Sequence, residues 1–390
     1  MSYKGLVMTG YQGWFNAEND GAGRGWNHYK NQNNLFEPGH TKVDMWPDVT
    51  EYPVKYKTSF SYADGNPAYV FSSYDESTVD LHFKWMQDYN IDGAFMQRFI
   101  TTLRDPKGNN HMQKVFSSAT KAAKKYDRTI SVMYDLSGMK PDEYHILIED
   151  WKRLIDEYKL NQPSVNGNYL FHRKKPLVAI WGVGFNDGRK YGLKEIEKIM
   201  DFLKNDPKYG GCSILLGVPT WWRDLKFDTQ SDPYLHEVMK KADIIQPWFV
   251  GRYNEETYPH YQARIKEDIA WCKQNKLDYV PVVFPGFSWK NMRPEEPFDA
   301  IPRNNGRFLW QQLTGAIEAG AEMLYVAMFD EIDEATAIFK VGKETPVGKS
   351  RFVPYEKDIP SDHYLWLTGQ ANGILKKEIP FQKNMPYRTY

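Results

Sequence analysis

The stretch A-E-M-L-Y-V-A-M-F-D-E-I-D-E-A-T, residues 321–336, changes character halfway along. Positions 323–328 form an apolar and aromatic run, too short for a core helix and without helical periodicity. Four carboxylates then fall within five positions: Asp330, Glu331, Asp333 and Glu334. A buried strand that opens into acid at its C-terminal end fits a parallel sheet with its chemistry at the strand ends. An ionised carboxylate is expensive to bury without a partner. The cluster is therefore either a solvated acidic loop or the lining of a cleft that uses it. This stretch alone leaves both readings open.

Outward from it, further short β-like runs occur at 5–9, 91–97, 129–134, 176–181, 213–217, 244–247 and 279–283, making eight with 323–327. Amphipathic segments with apolar residues three and four apart lie between them, at 79–89, 112–126, 144–158, 193–203, 261–275 and 308–319. Eight alternations predict an α/β chain folded as a (β/α)8 TIM barrel; a doubly wound open sheet is the competing assignment. A barrel needs ~250 residues, so the surplus in this chain of 390 belongs to loops that shape the active face. The largest, 11–74, is rich in Gly, Asn, Trp and Pro and carries G-W-N-H-Y at 25–29 and D-M-W-P-D at 44–48. No repeat or linker interrupts the chain, so residues 1–390 read as one domain. The tail 340–390 supplies a last helix at 363–375.

Fifty basic and fifty acidic residues give zero net charge without blocks of one sign. That argues against nucleic acid or an acidic membrane surface as partner. No apolar stretch reaches the 18 residues of a membrane span. Aromatic residues make up 15% of the chain, which fits either bulky barrel packing or faces on which sugar rings stack. Cys212 and Cys272 lack metal-site spacing and read as buried thiols. The N-terminus shows no signal-peptide core. A cytoplasmic protein is expected if Met1 is native, and a periplasmic or extracellular one if an export signal has been removed.

Each predicted strand ends in residues that a core does not want. The first runs into Tyr11, Gln12, Gly13 and Trp14, the second into Gln97 and Arg98, and the third into Tyr134, Asp135 and Ser137. Trp181 closes the fourth; Trp221, Trp222 and Arg223 follow the fifth; Gln246 and Trp248 end the sixth; Trp289 lies just beyond the seventh. In a barrel these ends converge on one face, above the acidic cluster. The expected wall of a sugar-binding cleft is Tyr11, Trp14, Trp46, Gln97, Arg98, Tyr134, Trp181, Trp222, Trp248 and Trp289, with Asp330. Among the nine histidines only His28 is placed near it. Taken singly, the aromatics also read as packing, and Arg98 as a partner for Asp92 or Asp135. Two carboxylates in such a cleft are the minimal equipment of a glycosidase, which protonates a leaving oxygen and stabilises an oxocarbenium-like centre. No phosphate-binding glycine loop, His/Cys metal set or Gly-x-Ser-x-Gly elbow competes.

Two segments resemble glycoside hydrolase family 99, the endo-acting α-mannosidases and α-mannanases, and the looser clan that includes family 71. V-F-P-G-F-S-W-K-N-M-R-P from Val283, followed by Asn304, Asn305, Gly306, Arg307 and Trp310, is similar to the family's P-G-[YF]-x-x-[TS]-x-x-R-P stretch and its N-x-x-R-x-x-G-x-x-Y-x-x-x-W region. F-D-E-I-D-E-A-T at 329–336 is similar to N-E-W-x-E-G-T and keeps its two glutamates as Glu331 and Glu334. The opening G-Y-Q-G-W-F and I-D-G-A-F-M-Q at 91–97 sit where the family has its first two strands. The resemblance implies a retaining mechanism. In it Glu331 is the base toward the sugar's own 2-hydroxyl, an internal nucleophile that forms a 1,2-anhydro intermediate, and Glu334 is the acid/base. Asp330 stands for Asn, Ile332 for Trp and Ala335 for Gly, which marks a divergent branch of the kind found in bacterial polysaccharide degradation.

The expectation is a monomeric retaining glycoside hydrolase on an α-linked, mannan-like oligosaccharide or polysaccharide, with no cofactor and no metal ligand. Three alternatives stand beside it: a carbohydrate-binding barrel whose catalysis has decayed, a glycosidase of the same clan with xylose- or arabinose-type specificity, and a metal-dependent hydrolase with the four carboxylates as oxygen ligands. Asp330 and Asp333 are expected to turn away from substrate and hold the loop in shape.

Overall fold

The computed structural model describes residues 2–356 and 358–388. Met1, on which the expectation about export turns, lies outside them, as do Lys357, Thr389 and Tyr390. Eight parallel strands form the centre: β1 Val7–Tyr11, β2 Gly93–Phe99, β3 Thr129–Asp135, β4 Lys175–Trp181, β5 Ser213–Val218, β6 Ile244–Pro247, β7 in two pieces at Asp278–Tyr279 and Val282–Val283, and β8 Leu324–Val326. Nearly every residue in them is buried, as strands covered by helices outside and by one another's side chains inside must be.

The break in β7 lets the sheet close. Asp278 and Tyr279 pair with β6 at Ile244 and Ile245, whereas Val282 and Val283 pair with β8 at Tyr325 and Val326. Between the pieces, Val280 donates its N–H to the Ile245 carbonyl and Pro281 accepts from Tyr325 N. β8 pairs in turn with β1, Val7 opposite Leu324, so the order of strands returns to its start and the (β/α)8 barrel is complete as one domain.

Eight helices surround it: α1 Glu76–Asp88, α2 Pro106–Tyr126, α3 Tyr144–Tyr158, α4 Leu193–Asn205, α5 Tyr234–Met239, α6 Tyr258–Gln274, α7 Arg307–Glu318 and α8 His363–Leu375. Local chemistry sets several boundaries. α2 begins where the Asp105 side chain accepts the Gly108 N–H at 2.7 Å, with Pro106 at the first helical position. It buries Met112, Val115, Phe116, Ala119, Ala122 and Ala123, a stripe at three- and four-residue spacing. α5 has six residues, too few to show a helical period in the sequence. The long segment 11–74, expected to be loop, contains an antiparallel hairpin, Tyr56–Ser61 with Pro67–Val70, whose Phe60 packs against Phe36, Trp46 and Phe352. Among the described residues no helix is long and apolar enough to cross a membrane.

Candidate active site

Parallel pairing carries one row of residues around the barrel mouth: Phe99 opposite Asp135, Asp135 opposite Trp181, Trp181 opposite Gly217, and Gly217 opposite Gln246. Paired residues point to the same face of a sheet, and here that face is the barrel interior. Gly217 is needed for space, since a Cβ there would come within 2.5 Å of the Trp181 ring. Above the row lies an open cavity of about 330 Å³ lined by Gln12, Trp14, Gln97, Phe99, Asp135, Trp181, Phe185, Arg189, Trp248, Arg252, Trp289, Glu331 and Glu334, among others.

The acidic turn after β8 forms its floor, and the protein bonds most of its carboxylate oxygens. Asp330 is fully buried and accepts the Gln12 and Gly13 backbone N–H groups, both at 2.8 Å. Glu331 accepts the Gln12 amide at 2.6 Å through one oxygen and the Thr336 hydroxyl at 2.8 Å through the other. Asp333 meets His28 Nδ1 at 3.1 Å. Glu334 is half-buried and keeps its carboxylate beside Trp289, while its carbonyl accepts the Ser288 N–H. The turn is fixed from the side by Asp44. Asp44 N–H donates to the Ile332 carbonyl, and its carboxylate takes the Ser288 hydroxyl and the N–H groups of Lys290 and Asn291.

Burial raises all four carboxyl groups above the ordinary carboxylate range. Asp330 is pushed up to about 7 despite its two backbone donors. Desolvation, then the charges of Glu334 and Asp333, lift Glu331 well above its usual value. Glu334 is lifted to about 8 by desolvation and then by Asp333, with Trp289 and Arg293 pulling the other way. Desolvation also raises Asp333, while it lowers His28 far below its normal range. The His28–Asp333 contact is therefore a hydrogen bond of a neutral ring, which stacks on Trp14 at 3.8 Å with the planes 8° apart. Close carboxyls in one dry site titrate as a set, so the cluster retains protons at neutral pH.

The structure brings Trp14, Gln97, Trp181, Trp248, Trp289, Glu331 and Glu334 to the cavity wall and places the other six expected residues elsewhere. Tyr11 faces α1 and bonds His82 Nδ1 at 2.8 Å. Arg98 turns outward to a buried bidentate pair with Asp150 on α3, not to Asp92 or Asp135, and Tyr134 bonds the same Asp150 at 2.9 Å. Trp222 packs edge-on against Trp271 of α6, with ring centroids 4.8 Å apart. Trp46 is buried under the long loop among Phe36, Phe60 and Phe352, its N–H on the Tyr69 carbonyl. Asp330 lies beneath the floor. The reason is strand parity: consecutive side chains alternate between the interior and the helices, and Tyr11, Arg98 and Tyr134 occupy the outward phase.

Gln12, Asp135 and Ser137 belong to the strand ends but not to the expected wall; Phe99 lies two positions beyond the second strand expected at 91–97. Phe185, Asp187 and Arg189 come from the loop after β4, where F-N-D-G-R carries no periodic signal. Arg189 lies over Trp181 and Phe185, at 5.1 and 4.6 Å, and pairs with Asp187. The three departures from the family motif, at 330, 332 and 335, are all off the cavity wall. Ile332 is fully buried, and Ala335 takes a left-handed φ of 53°, a conformation glycine adopts freely. Among the described residues no group of three or more His, Cys, Asp or Glu is arranged to hold a metal ion.

No protein-family model matches the chain. A mouse protein named glycoprotein endo-alpha-1,2-mannosidase is 24% identical over 326 residues, 79% of this chain and 63% of its own length. The rat protein of the same name is 24% identical over 321 residues with the same coverage. The chain thus spans less than two thirds of these relatives. The solved structure of a glycoside hydrolase family 99 endo-alpha-mannosidase from Bacteroides thetaiotaomicron superposes with a TM-score of 0.68 at 16% identity, covering 96% of this chain and 98% of that one. A structure of that enzyme with bis-tris propane gives 0.70 at 17% identity and the same coverage. The chain thus resembles proteins named endo-α-mannosidases in sequence and shares the fold of a family-99 enzyme, at a divergent distance from both.

Proposed function

We propose that the protein is a glycoside hydrolase acting on an α-linked, mannose-containing glycan, with Glu334 as acid/base and Glu331 as base toward the sugar's 2-hydroxyl. The observation that carries this reading is that both carboxyls face one cavity walled by Trp14, Trp181, Trp248 and Trp289. The names of the mouse and rat relatives support the substrate class. Glu331 has a donor on each oxygen; these offset part of the rise that burial and the charges of Glu334 and Asp333 impose, so its anion is available once Glu334 carries the proton. Glu334, raised to about 8 and half-buried beside Trp289 at the cavity, holds the proton that a leaving oxygen needs.

In the first step Glu331 removes the 2-hydroxyl proton as O2 attacks C1. The bond from C1 to the leaving oxygen breaks, and that oxygen takes the Glu334 proton. In the second, Glu334 takes a proton from water, the water oxygen attacks C1 as the C1–O2 bond breaks, and O2 recovers its proton from Glu331. Two inversions at C1 give net retention.

The test is hydrolysis of α-mannan, xylan and arabinan panels, followed by assay of two variants. Glu334→Gln should lose at least ~100-fold on a natural glycan and much less on an activated aryl glycoside, whose leaving group needs no proton. Glu331→Gln should lose comparably on both, because the internal nucleophile lacks its base in either case. Equal, mild losses for both variants on both substrates would remove the pair from catalysis. Binding of glycan without any release would leave a sugar-binding barrel.

A further inference from the structure

The loop after β5 holds an aromatic pair that the cavity does not use. Phe227 is 72% exposed, the largest exposure of any described phenylalanine, and its φ of 54° is one that a bulky residue adopts only where its surroundings enforce it. Its ring meets Trp221 at 4.8 Å, inclined 60°. Trp221 is a support rather than a second open face, because the Arg264 guanidinium lies 3.8 Å from its ring centroid and is anchored on Asp224 at 2.5 Å.

This pair is tied to the cavity by bonded contacts. Asp228, next to Phe227, accepts the Thr220 and Trp221 N–H groups and pairs with Arg252 at 3.3 Å, and Arg252 lines the cavity. The Asp228 carbonyl accepts Asn186 N at 2.8 Å, and Thr229 bridges to Phe185, another cavity residue. The loops after β4 and β5 are thus bonded to each other, and together they carry Phe185 and Arg189 on the cavity and the solvent-exposed ring of Phe227.

Resting on the glycosidase reading, we infer that Phe227, buttressed by Trp221, is an outer sugar subsite that stacks one ring of a glycan chain whose reacting end occupies the cavity. A rigid, exposed apolar ring on a loop bonded to cavity residues suits the C–H face of a pyranose and leaves its hydroxyls in water. Such a subsite adds affinity for chains long enough to leave the cavity and none for short ones.

The experiment measures binding of α-linked manno-oligosaccharides of increasing length to Glu334→Gln protein by calorimetry, with and without Phe227→Ala and Phe227→Tyr. Affinity should rise about 3- to 10-fold at the length that first reaches the platform. Phe227→Ala should remove that rise and Phe227→Tyr keep it, with the shortest bound ligand reporting that each variant is folded. A rise that survives Phe227→Ala, a rise lost equally in Phe227→Tyr, or no rise at any length overturns the subsite while leaving the cavity reading intact. If no oligosaccharide binds and the wild-type protein hydrolyses none, the glycosidase reading falls and the platform with it.

Discussion

Trp181 and Trp222 have the same chemistry and opposite duties, and single substitutions should separate them. Trp181 is on the cavity wall with its indole N–H bonded to no protein acceptor among the described residues, so Trp181→Ala should weaken glycan binding severalfold and spare the fold. Trp222 is fully buried against α5 and α6; Trp222→Ala should cost ~3 to 5 kcal/mol of stability. Calorimetric affinity and urea midpoints check the two together, and a stability loss shared equally by both variants would contradict the assignment. The pair also shows where the sequence was readable. A tryptophan at a strand end announces proximity to the mouth, but its direction depends on parity within a strand whose first residue is uncertain by one or two positions. Phe99 and Asp135 were legible in kind and lost in register, whereas Arg189 belongs to a loop whose path no local pattern records.

At the scale of elements, the eight strands were legible because buried parallel strands are short unbroken apolar runs, and 244–247 and 144–158 coincide with β6 and α3 to the residue. What escaped were elements without a period: the six-residue α5, and the hairpin 56–70, whose strands pack on loop rather than sheet. At the join between β8 and β1, beyond the paired backbone, Asp330 is the acceptor for two buried N–H groups of the first βα loop. Asp330→Ala leaves both donors unpaired, and each unpaired buried polar group costs about 1–3 kcal/mol. The variant should lose at least ~2 kcal/mol and lose activity as well, because Gln12 would no longer be held against Glu331. Unchanged stability with unchanged activity would show the join to be held by other contacts.

For the whole molecule, the buried acids and buried histidines make opposite contributions to stability against pH. His82 is lowered to about 3 and His111 to about 4 by desolvation. Their neutral burial favours the fold increasingly as pH rises toward the unfolded value near 6.5. Asp330 and Glu334, raised to about 7 and about 8, hold protons that the unfolded chain has released above about pH 4. Their contribution therefore declines as pH rises through that interval to about 8. Below pH 6.5 the two sets oppose each other; between 6.5 and 8.5 only the acids act, and stability should fall. Glu334→Gln should gain on wild type at both values, and more at pH 8.5 than at pH 6.5 by ~1–2 kcal/mol, read from thermal unfolding at both values. A larger gain at the lower pH would reverse the sign and refute the account. The seam between β8 and β1 also sets a schedule during synthesis. Gln12 and Asp330 are 318 positions apart, so a ribosome must emit four fifths of the chain before the first strand meets its last neighbour. Until then β1 has one free edge and the acids do not exist. A chain halted just before the final strand carries all but one of the 13 tryptophans and none of the acids at 330–334, and its open sheet edge makes it a substrate for chaperones.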